Sequence, residues 1–218
     1  MTSIVTVAEN ASGFEIFPTD IEIFKRQLDS LNDIAFDAIK IGLLPSIEIA
    51  DLTLRFIQQH QDISVILDPV LVFKENKDEE MSLMTAKMLE FLPYVTVITP
   101  NLREAEMLAG LTITTVSDMK AAATVLSALG SRHMVIKGGS RLDKHFARDL
   151  YADGVVSREF VKPIVARNNN GAGCTFASAV ASNLAHGASV LTAVKQSKEF
   201  VYQAILNSND YGVFQLLP

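Results

Sequence analysis

The stretch NNNGAGCTF at residues 168–176 is followed directly by ASAVASNL at residues 177–184. A polar, glycine-rich turn thus runs into an apolar segment whose composition favours a helix. Neighbouring glycines allow successive backbone N–H groups to point at one spot, and the first turn of a helix adds unpaired N–H groups of its own. This combination is typical of anion-binding sites. The stretch therefore predicts an anion-binding turn at the start of a helix.

Cys174, the only cysteine of the chain, lies in this turn. A thiol at the positive end of a helix is expected to have a lowered pKa and an accessible thiolate. The plainer interpretation is a small core residue, because cysteine is often buried. The turn alone leaves both interpretations open.

Polar residues follow three other apolar runs, VIL, VTVI and MVI. These residues are Asp68, Asn101, Glu104, Lys137 and Gly138. If the runs are parallel strands, the residues lie at the carboxyl edge of the sheet, where such sheets bind ligands. Each also has a plainer role, as a turn former, as a charge at a helix start, or as a surface turn. The plainer roles do not explain why all of them follow strands.

Four motifs, taken in chain order, resemble those of the ribokinase-like superfamily. They are DPV at 68–70, TPNLREA at 99–105, KGG at 137–139 and GAGCT at 171–175. Within it, the chain resembles the hydroxymethylpyrimidine (phosphate) kinases and the bacterial pyridoxal kinases. In that branch a cysteine replaces the catalytic aspartate of the sugar kinases, so Cys174 disfavours a sugar kinase. The resemblance runs from Met1 to about Ser208.

The resemblance implies transfer of a phosphoryl group from ATP, with Mg²⁺, to the hydroxymethyl group of pyridoxal, pyridoxine or hydroxymethylpyrimidine phosphate. It implies that Cys174 is the base, and Gly171, Ala172 and Gly173 beside it are expected to offer their backbone N–H groups to the transferring phosphoryl group. The residues expected to bind ATP are Asn101, Glu104, Lys137 and Gly138. The expected metal ligands are Asp68 and Glu104, since Mg²⁺ prefers oxygen ligands and retains several waters.

The resemblance is weaker at the end of the site that would hold the ring. Family members begin with a further strand and a Gly/Ser-rich loop with a ring-binding aspartate, and we expect this sheet to lack that strand. Glu9, Asn10 and Leu44 stand at ring-facing positions and are the expected substrate contacts. The choice between a pyridine and a pyrimidine stays open, although Phe176 favours the pyridoxal-kinase-like members. The alternative function is a nucleotide-binding, catalytically impaired remnant.

Composition limits the remaining possibilities. With 218 residues the chain is expected to form a single domain over 1–218. The net charge of −6 argues against nucleic-acid and anionic-membrane partners, and no apolar run is long enough to predict a membrane span. One cysteine excludes an internal disulfide framework and favours the cytoplasm. A homodimer is implied by the resemblance.

Periodicity predicts strands that alternate with helices along the chain. The predicted strands cover 3–8, 38–42, 63–67, 95–98 and 133–136, with a hairpin of 149–154 and 158–161. The predicted helices cover 20–31, 46–60, 81–92, 102–109, 118–129, 174–186 and 190–208, with a charged loop at 75–80. This order favours an α/β fold with a mostly parallel sheet and helices on both faces.

Overall fold

The computed structural model describes residues 3–9, 13–71 and 78–215. Two strands, β1 (Ile4–Glu9) and β2 (Gly13–Pro18), pair with each other in antiparallel fashion. Six further strands form one sheet in chain order. They are β3 (Ala38–Ile41), β4 (Ser64–Leu67), β5 (Val97–Ile98), β6 (His133–Lys137), β7 (Phe146–Ala152) and β8 (Ser157–Pro163).

The six-stranded sheet is parallel over its first four strands. β3, β4, β5 and β6 run in one direction, and β7 and β8 add an antiparallel hairpin at the far side. The Asp153 carboxylate closes the hairpin turn by accepting hydrogen bonds from the N–H groups of Val155 and Val156. The mostly parallel sheet and the hairpin are both confirmed.

Seven helices cover the sheet in the described part of the chain. They are α1 (Ile21–Asp29), α2 (Ile47–Gln58), α3 (Asp78–Phe91), α4 (Leu102–Ala109), α5 (Val116–Ala128), α6 (Ala172–Ala185) and α7 (Val190–Leu206). A short 3₁₀ turn, Leu92–Tyr94, follows α3 at Pro93. Within those ranges, no helix is long and apolar enough to cross a bilayer.

Helices cover both faces of the six-stranded sheet, because successive side chains of a strand point to opposite faces and both faces are apolar. Val65 and Leu67 of β4 pack into a core with α1 to α5, whereas Ile66 between them packs into a second core with α6 and α7. A strand buried on both faces reads as a continuous apolar run, which is how β4 reads in the sequence. The expected helices on both faces are confirmed.

Local signals fix most helix starts. Ser46, the first residue of the predicted helix 46–60, caps α2, with its Oγ accepting from the Ile49 N–H at 3.3 Å. The predicted helix 118–129 would be capped by Ser117 or Asp118, but α5 begins earlier. Thr115 is its cap, because its side chain and that of Asp118 each accept from the other's backbone N–H.

Two other differences concern the first half of the chain. The sequence patterns did not predict β2. The predicted loop at 75–80 lies partly outside the described residues, and 78–80 begin α3. β3 forms one edge of the six-stranded sheet.

Candidate active site

The carboxyl ends of the parallel strands bring the polar residues together. Lys137, the last residue of β6, places its Nζ 2.8 Å from Asp68 Oδ1, and Asp68 comes directly after β4. The Lys137 backbone N–H donates to Pro100 O at 2.8 Å, which ties the end of β6 to the loop after β5. A Cβ atom placed on Gly173 would lie 3.3 Å from Lys137 Nζ, so the start of α6 reaches the same point. This edge of the sheet is called the rim below.

Asp68 is the buried charge at the centre of the rim, with 2% of its surface exposed. Its Oδ1 accepts hydrogen bonds from Lys137 Nζ and, at 3.2 Å, from Thr99 Oγ1. Lys40 Nζ lies 4.0 Å from Oδ2. A buried carboxylate requires such partners, and removal of one would leave a costly unpaired charge. Sequence reasoning missed Lys40 and Thr99, although a lysine in the apolar run AIKI was a usable signal.

Cys174 lies in the first turn of α6 and is exposed. The expectation of a lowered pKa is wrong: the pKa of the thiol is raised. The main cause is that the surrounding protein removes water from the thiolate, and the Asp68 carboxylate also repels it. Lys40 and Lys137 act in the opposite direction. In the resting site Cys174 is therefore a thiol beside a carboxylate.

Asn101 and Glu104 form a reciprocal cap at the start of α4. The Asn101 N–H donates to Glu104 Oε2 at 2.7 Å, and the Glu104 N–H donates to Asn101 Oδ1 at 3.0 Å. Glu104 is only 5% exposed. Burial raises the pKa of Glu104 to about 7, and the nearby Lys137 and the Asn101 N–H limit the shift. The plainer helix-start role is therefore present, together with a carboxyl group at the rim that is easily protonated.

The rim offers a divalent cation two carboxylates rather than a closed cage. Within the described ranges, no group of three or more His, Cys, Asp or Glu side chains is placed to hold a metal ion. Asp68 is engaged by two lysines, and one oxygen of Glu104 accepts the Asn101 N–H. Mg²⁺ commonly binds through one or two carboxylates, substrate phosphates and water. This donor set fits a Mg²⁺ ion that arrives with a nucleotide.

The glycine turn has the backbone geometry that its sequence predicts. Gly171 caps α6 with φ of 81°, a left-handed conformation that favours glycine. The Ala172 N–H is occupied, since it donates to Asn169 O at 3.0 Å. The N–H groups of Gly173 and Cys174 lie in the first turn, where a helix offers no internal partner. These two are the better candidates to bind an anion.

A cleft of about 880 Å³ opens beside the rim. Its wall includes Asn101, Lys137, Gly138, Ala172 and Gly173 from the rim and the glycine turn. Five basic side chains also line it, namely Arg103, Arg141, Lys162, Arg167 and Lys198, among apolar residues and Asp149. The size is in the range of small-molecule sites, and the charge favours an anion. An extended phosphate-bearing ligand fits this cleft.

Gly138 is held by a contact network that the sequence did not reveal. A Cβ atom at Gly138 would lie 2.1 Å from Arg148 O, so only glycine fits. The Gly138 N–H donates to the buried Asp149 at 3.1 Å, and Lys198 Nζ of α7 lies 2.5 Å from the other oxygen of Asp149. The Gly138 amide therefore points into the protein, while Lys198 lies in the wall of the cleft.

Of the three expected ring contacts, only Leu44 has a described side chain, and it does not lie at the cleft. Leu44 is 5% exposed, packs in the core with Phe24, and lines a separate cavity of about 270 Å³ beside β3. Glu9 ends β1, but its side chain and the whole of Asn10 lie outside the described residues. The contribution of these three residues to a ring site stays a prediction.

Comparison with known proteins bears directly on this site. The family model for phosphomethylpyrimidine kinase matches residues 1–216. The chain belongs to the phosphomethylpyrimidine kinase family. It is 38% identical over 214 residues to the pyridoxine kinase of Bacillus subtilis, covering 95% of this chain and 79% of that protein.

Other members of the family differ in the ring that they phosphorylate. The hydroxymethylpyrimidine/phosphomethylpyrimidine kinase of Bacillus subtilis is 33% identical over 218 residues, covering 97% of this chain and 80% of the relative. The pyridoxal kinase of Staphylococcus aureus, solved with AMP-PCP and pyridoxal, superposes with a TM-score of 0.86 at 34% identity, covering 95% of this chain and 77% of that one. The proteins that this chain resembles thus include a pyridoxine kinase, a pyridoxal kinase and a hydroxymethylpyrimidine/phosphomethylpyrimidine kinase.

Proposed function

We propose that the chain transfers the γ-phosphoryl group of ATP to the hydroxymethyl group of a heteroaromatic vitamin precursor. The acceptor class is pyridoxal or pyridoxine, or hydroxymethylpyrimidine and its phosphate. The observation that carries the proposal is the meeting of the Asp68–Lys137 pair, Cys174 and the start of α6 at the rim, where Lys137 and Gly173 also line the basic cleft. Kinase relatives at 33% and 38% identity support it.

The residues of the rim divide the work of phosphoryl transfer among them. Negative charge on the phosphoryl group in the transition state is stabilised by the Gly173 and Cys174 N–H groups and by Lys137. Asn101 and Gly138 line the cleft, and Glu104 fixes Asn101 there by accepting its backbone N–H. Glu104 and Asp68 would hold a Mg²⁺ ion, largely through water, and the ion would supply positive charge beside the ATP phosphates.

Cys174 accepts the proton of the substrate hydroxyl group. Because its pKa is raised, the active thiolate is a minor form at neutral pH. Asp68 beside it disfavours the thiolate, while Lys40 and Lys137 favour it. The rate should therefore rise with pH until the thiol is fully ionised, by about tenfold per pH unit below its pKa.

A direct kinase assay tests the proposal. The purified chain is incubated with Mg-ATP and pyridoxal, pyridoxine, hydroxymethylpyrimidine or its phosphate, and phosphorylated product is quantified by mass spectrometry. We expect product with at least one acceptor, and Cys174→Ala should lose roughly 10²–10⁴-fold in turnover with nucleotide binding nearly intact. Ser178→Ala, one turn further along α6 and exposed, is the matched control.

Two outcomes contradict the proposal in different ways. Equal turnover in wild type and Cys174→Ala would return Cys174 to the role of a packing residue. Nucleotide binding without product from any acceptor would favour the alternative, a nucleotide-binding, catalytically impaired remnant. The placement of Leu44 in the core, away from the cleft, is the observation that keeps this alternative in view.

The proposal also covers the domain organisation, the cellular compartment and the oligomeric state of the enzyme. We propose a single kinase domain over residues 1–218 that acts in the cytoplasm as a homodimer. The lone cysteine supports a reducing compartment, and the family resemblance supports the dimer. Light scattering on a size-exclusion column measures the mass in solution, and a monomer would contradict the dimer.

A further inference from the structure

The segment at residues 209–215, called the strap below, folds back from the end of α7 onto the glycine turn. The strap begins with a tight turn in which Asn209 N–H donates to Gly212 O at 2.9 Å. The Asn209 side chain also accepts from the Tyr211 N–H at 2.9 Å. Further on, the Phe214 N–H donates to Ala204 O at 3.1 Å, which fastens the strap to α7. The strap thus has a defined conformation of its own.

The strap contacts the glycine turn on both sides of residues 171–174. Before them, Asn168 Nδ2 donates to the carbonyl oxygens of Asn209 and Asp210, each at 3.0 Å. The Val213 N–H donates to Asn170 O at 3.0 Å. After them, Gln215 Nε2 donates to Thr175 Oγ1 at 3.1 Å.

Gly212 permits the closest of these approaches. It is buried and has φ of 149°, and a Cβ atom on it would lie 2.7 Å from Asn170 O. Any larger residue would push the Asn170 carbonyl away. Asn170 directly precedes Gly171, whose left-handed backbone sets the direction of the following N–H groups.

We propose that the strap is a positioning element for phosphoryl transfer, and that Gly212 acts through Asn170 to orient the N–H groups of Gly173 and Cys174. This inference rests on the proposed kinase function for its consequence in catalysis. Donors that stabilise a transition state must already point at the developing charge, and a displacement of about 1 Å can cost ~10²-fold in rate. The strap, which follows α7 in the chain but lies against the glycine turn, supplies that orientation.

The test is Gly212→Ala, with Gly187→Ala as its matched control. Gly187 also has a positive φ, of 81°, but a Cβ atom there would meet nothing within 4 Å, and it follows the opposite end of α6. We expect Gly212→Ala to lower kcat by ~10²-fold with the acceptor KM little changed. Gly187→Ala should lose thermal stability but keep kcat per folded molecule.

A second variant serves if Gly212→Ala does not fold. Asn168→Asp has the same shape and keeps the oxygen that accepts the Asn170 N–H, but it replaces the donor that faces two carbonyl oxygens. It should lower kcat in the same direction. A kcat within about twofold of wild type in the folded variant would overturn the proposal, because displaced donors should cost far more, up to ~10²-fold for about 1 Å.

Hydrogen–deuterium exchange separates this inference from the kinase function itself. Within residues 171–175 the hydrogen-bonded amides of Ala172 and Thr175 should exchange roughly 5–10-fold faster in Gly212→Ala than in Gly187→Ala, the factor expected for one lost hydrogen bond. If wild type phosphorylates no acceptor, the proposed function fails, and the exchange result alone decides the strap. Unchanged exchange at 171–175 would overturn the strap whatever the activity.

Discussion

Replacement of Glu104 by glutamine should make the protein's stability much less dependent on pH. Burial raises the pKa of Glu104 from its ordinary 4.5 to about 7 in the folded protein. The folded state therefore holds this proton more tightly than the unfolded chain does. The stability from this group is fully present below pH 4.5 and is lost as the pH rises through 7.

The size of the effect follows from the shift. The difference between 4.5 and about 7 corresponds to about 3 kcal/mol of unfolding free energy. Glutamine stays neutral, and it can still accept the Asn101 N–H in the cap. The unfolding free energy of Glu104→Gln relative to wild type should thus increase by about 3 kcal/mol between pH 4.5 and pH 8.

Urea denaturation without nucleotide or metal, repeated across that pH range, measures the difference. Glu106→Gln, on the same helix at a half-exposed position, controls for the loss of one negative charge. The unfolding free energy of Glu104→Gln minus that of wild type should rise mainly between pH 4.5 and 7. A difference that stays constant with pH, or that falls, would refute the argument that burial governs Glu104.

Two further changes test the packing of the rim. Asp68→Asn removes the carboxylate that raises the pKa of Cys174 and leaves both lysines in place. The thiol should therefore react with iodoacetamide about tenfold faster for each unit by which its pKa falls. An unchanged rate would mean that Asp68 does not control the thiol. Gly138→Ala should destabilise the fold by ~3 kcal/mol or more, because the new Cβ would meet Arg148 O. Gly110→Ala, with positive φ and open space around it, should cost only about 1–2 kcal/mol in the same thermal unfolding measurement, and equal losses would contradict the clash.

The sequence predicted the fold and the rim because both depend on local patterns. Apolar runs gave the strands, and the polar residue after each run could be assigned to one edge once the strands were taken as parallel. Asp68, Asn101 and Lys137 needed no further information to be placed there. The glycine turn likewise carries its own signal, because glycine at 171 permits the left-handed backbone that the cap requires.

Long-range contacts and charges could not be predicted in this way. The pKa of Cys174 was predicted with the wrong sign because the sequence does not show that Asp68, more than 100 residues earlier, lies beside the thiol. The Asp149–Lys198 pair was missed for the same reason, since β7 and α7 meet only in the folded protein. The family resemblance assigned Leu44 to the ring, but its place in the core depends on how residues of α1 and β3 come together in the folded protein.

Several contacts at the rim and the strap join residues that are far apart in the chain, and this affects how the protein folds during its synthesis. Asp68 and Lys137 are 69 residues apart, Asp149 and Lys198 are 49 apart, and Thr175 and Gln215 are 40 apart. Contacts at such separations must first overcome the entropy of closing the loop between them. A ribosome that has made only the first four parallel strands holds a chain with the Asp68–Lys137 pair but without Lys198 or Gly212. If the strap orients the Gly173 and Cys174 N–H groups as proposed, a nascent chain gains its full capacity for phosphoryl transfer only after residues 209–215 have left the ribosome, even though the nucleotide-facing residues of the rim are made much earlier.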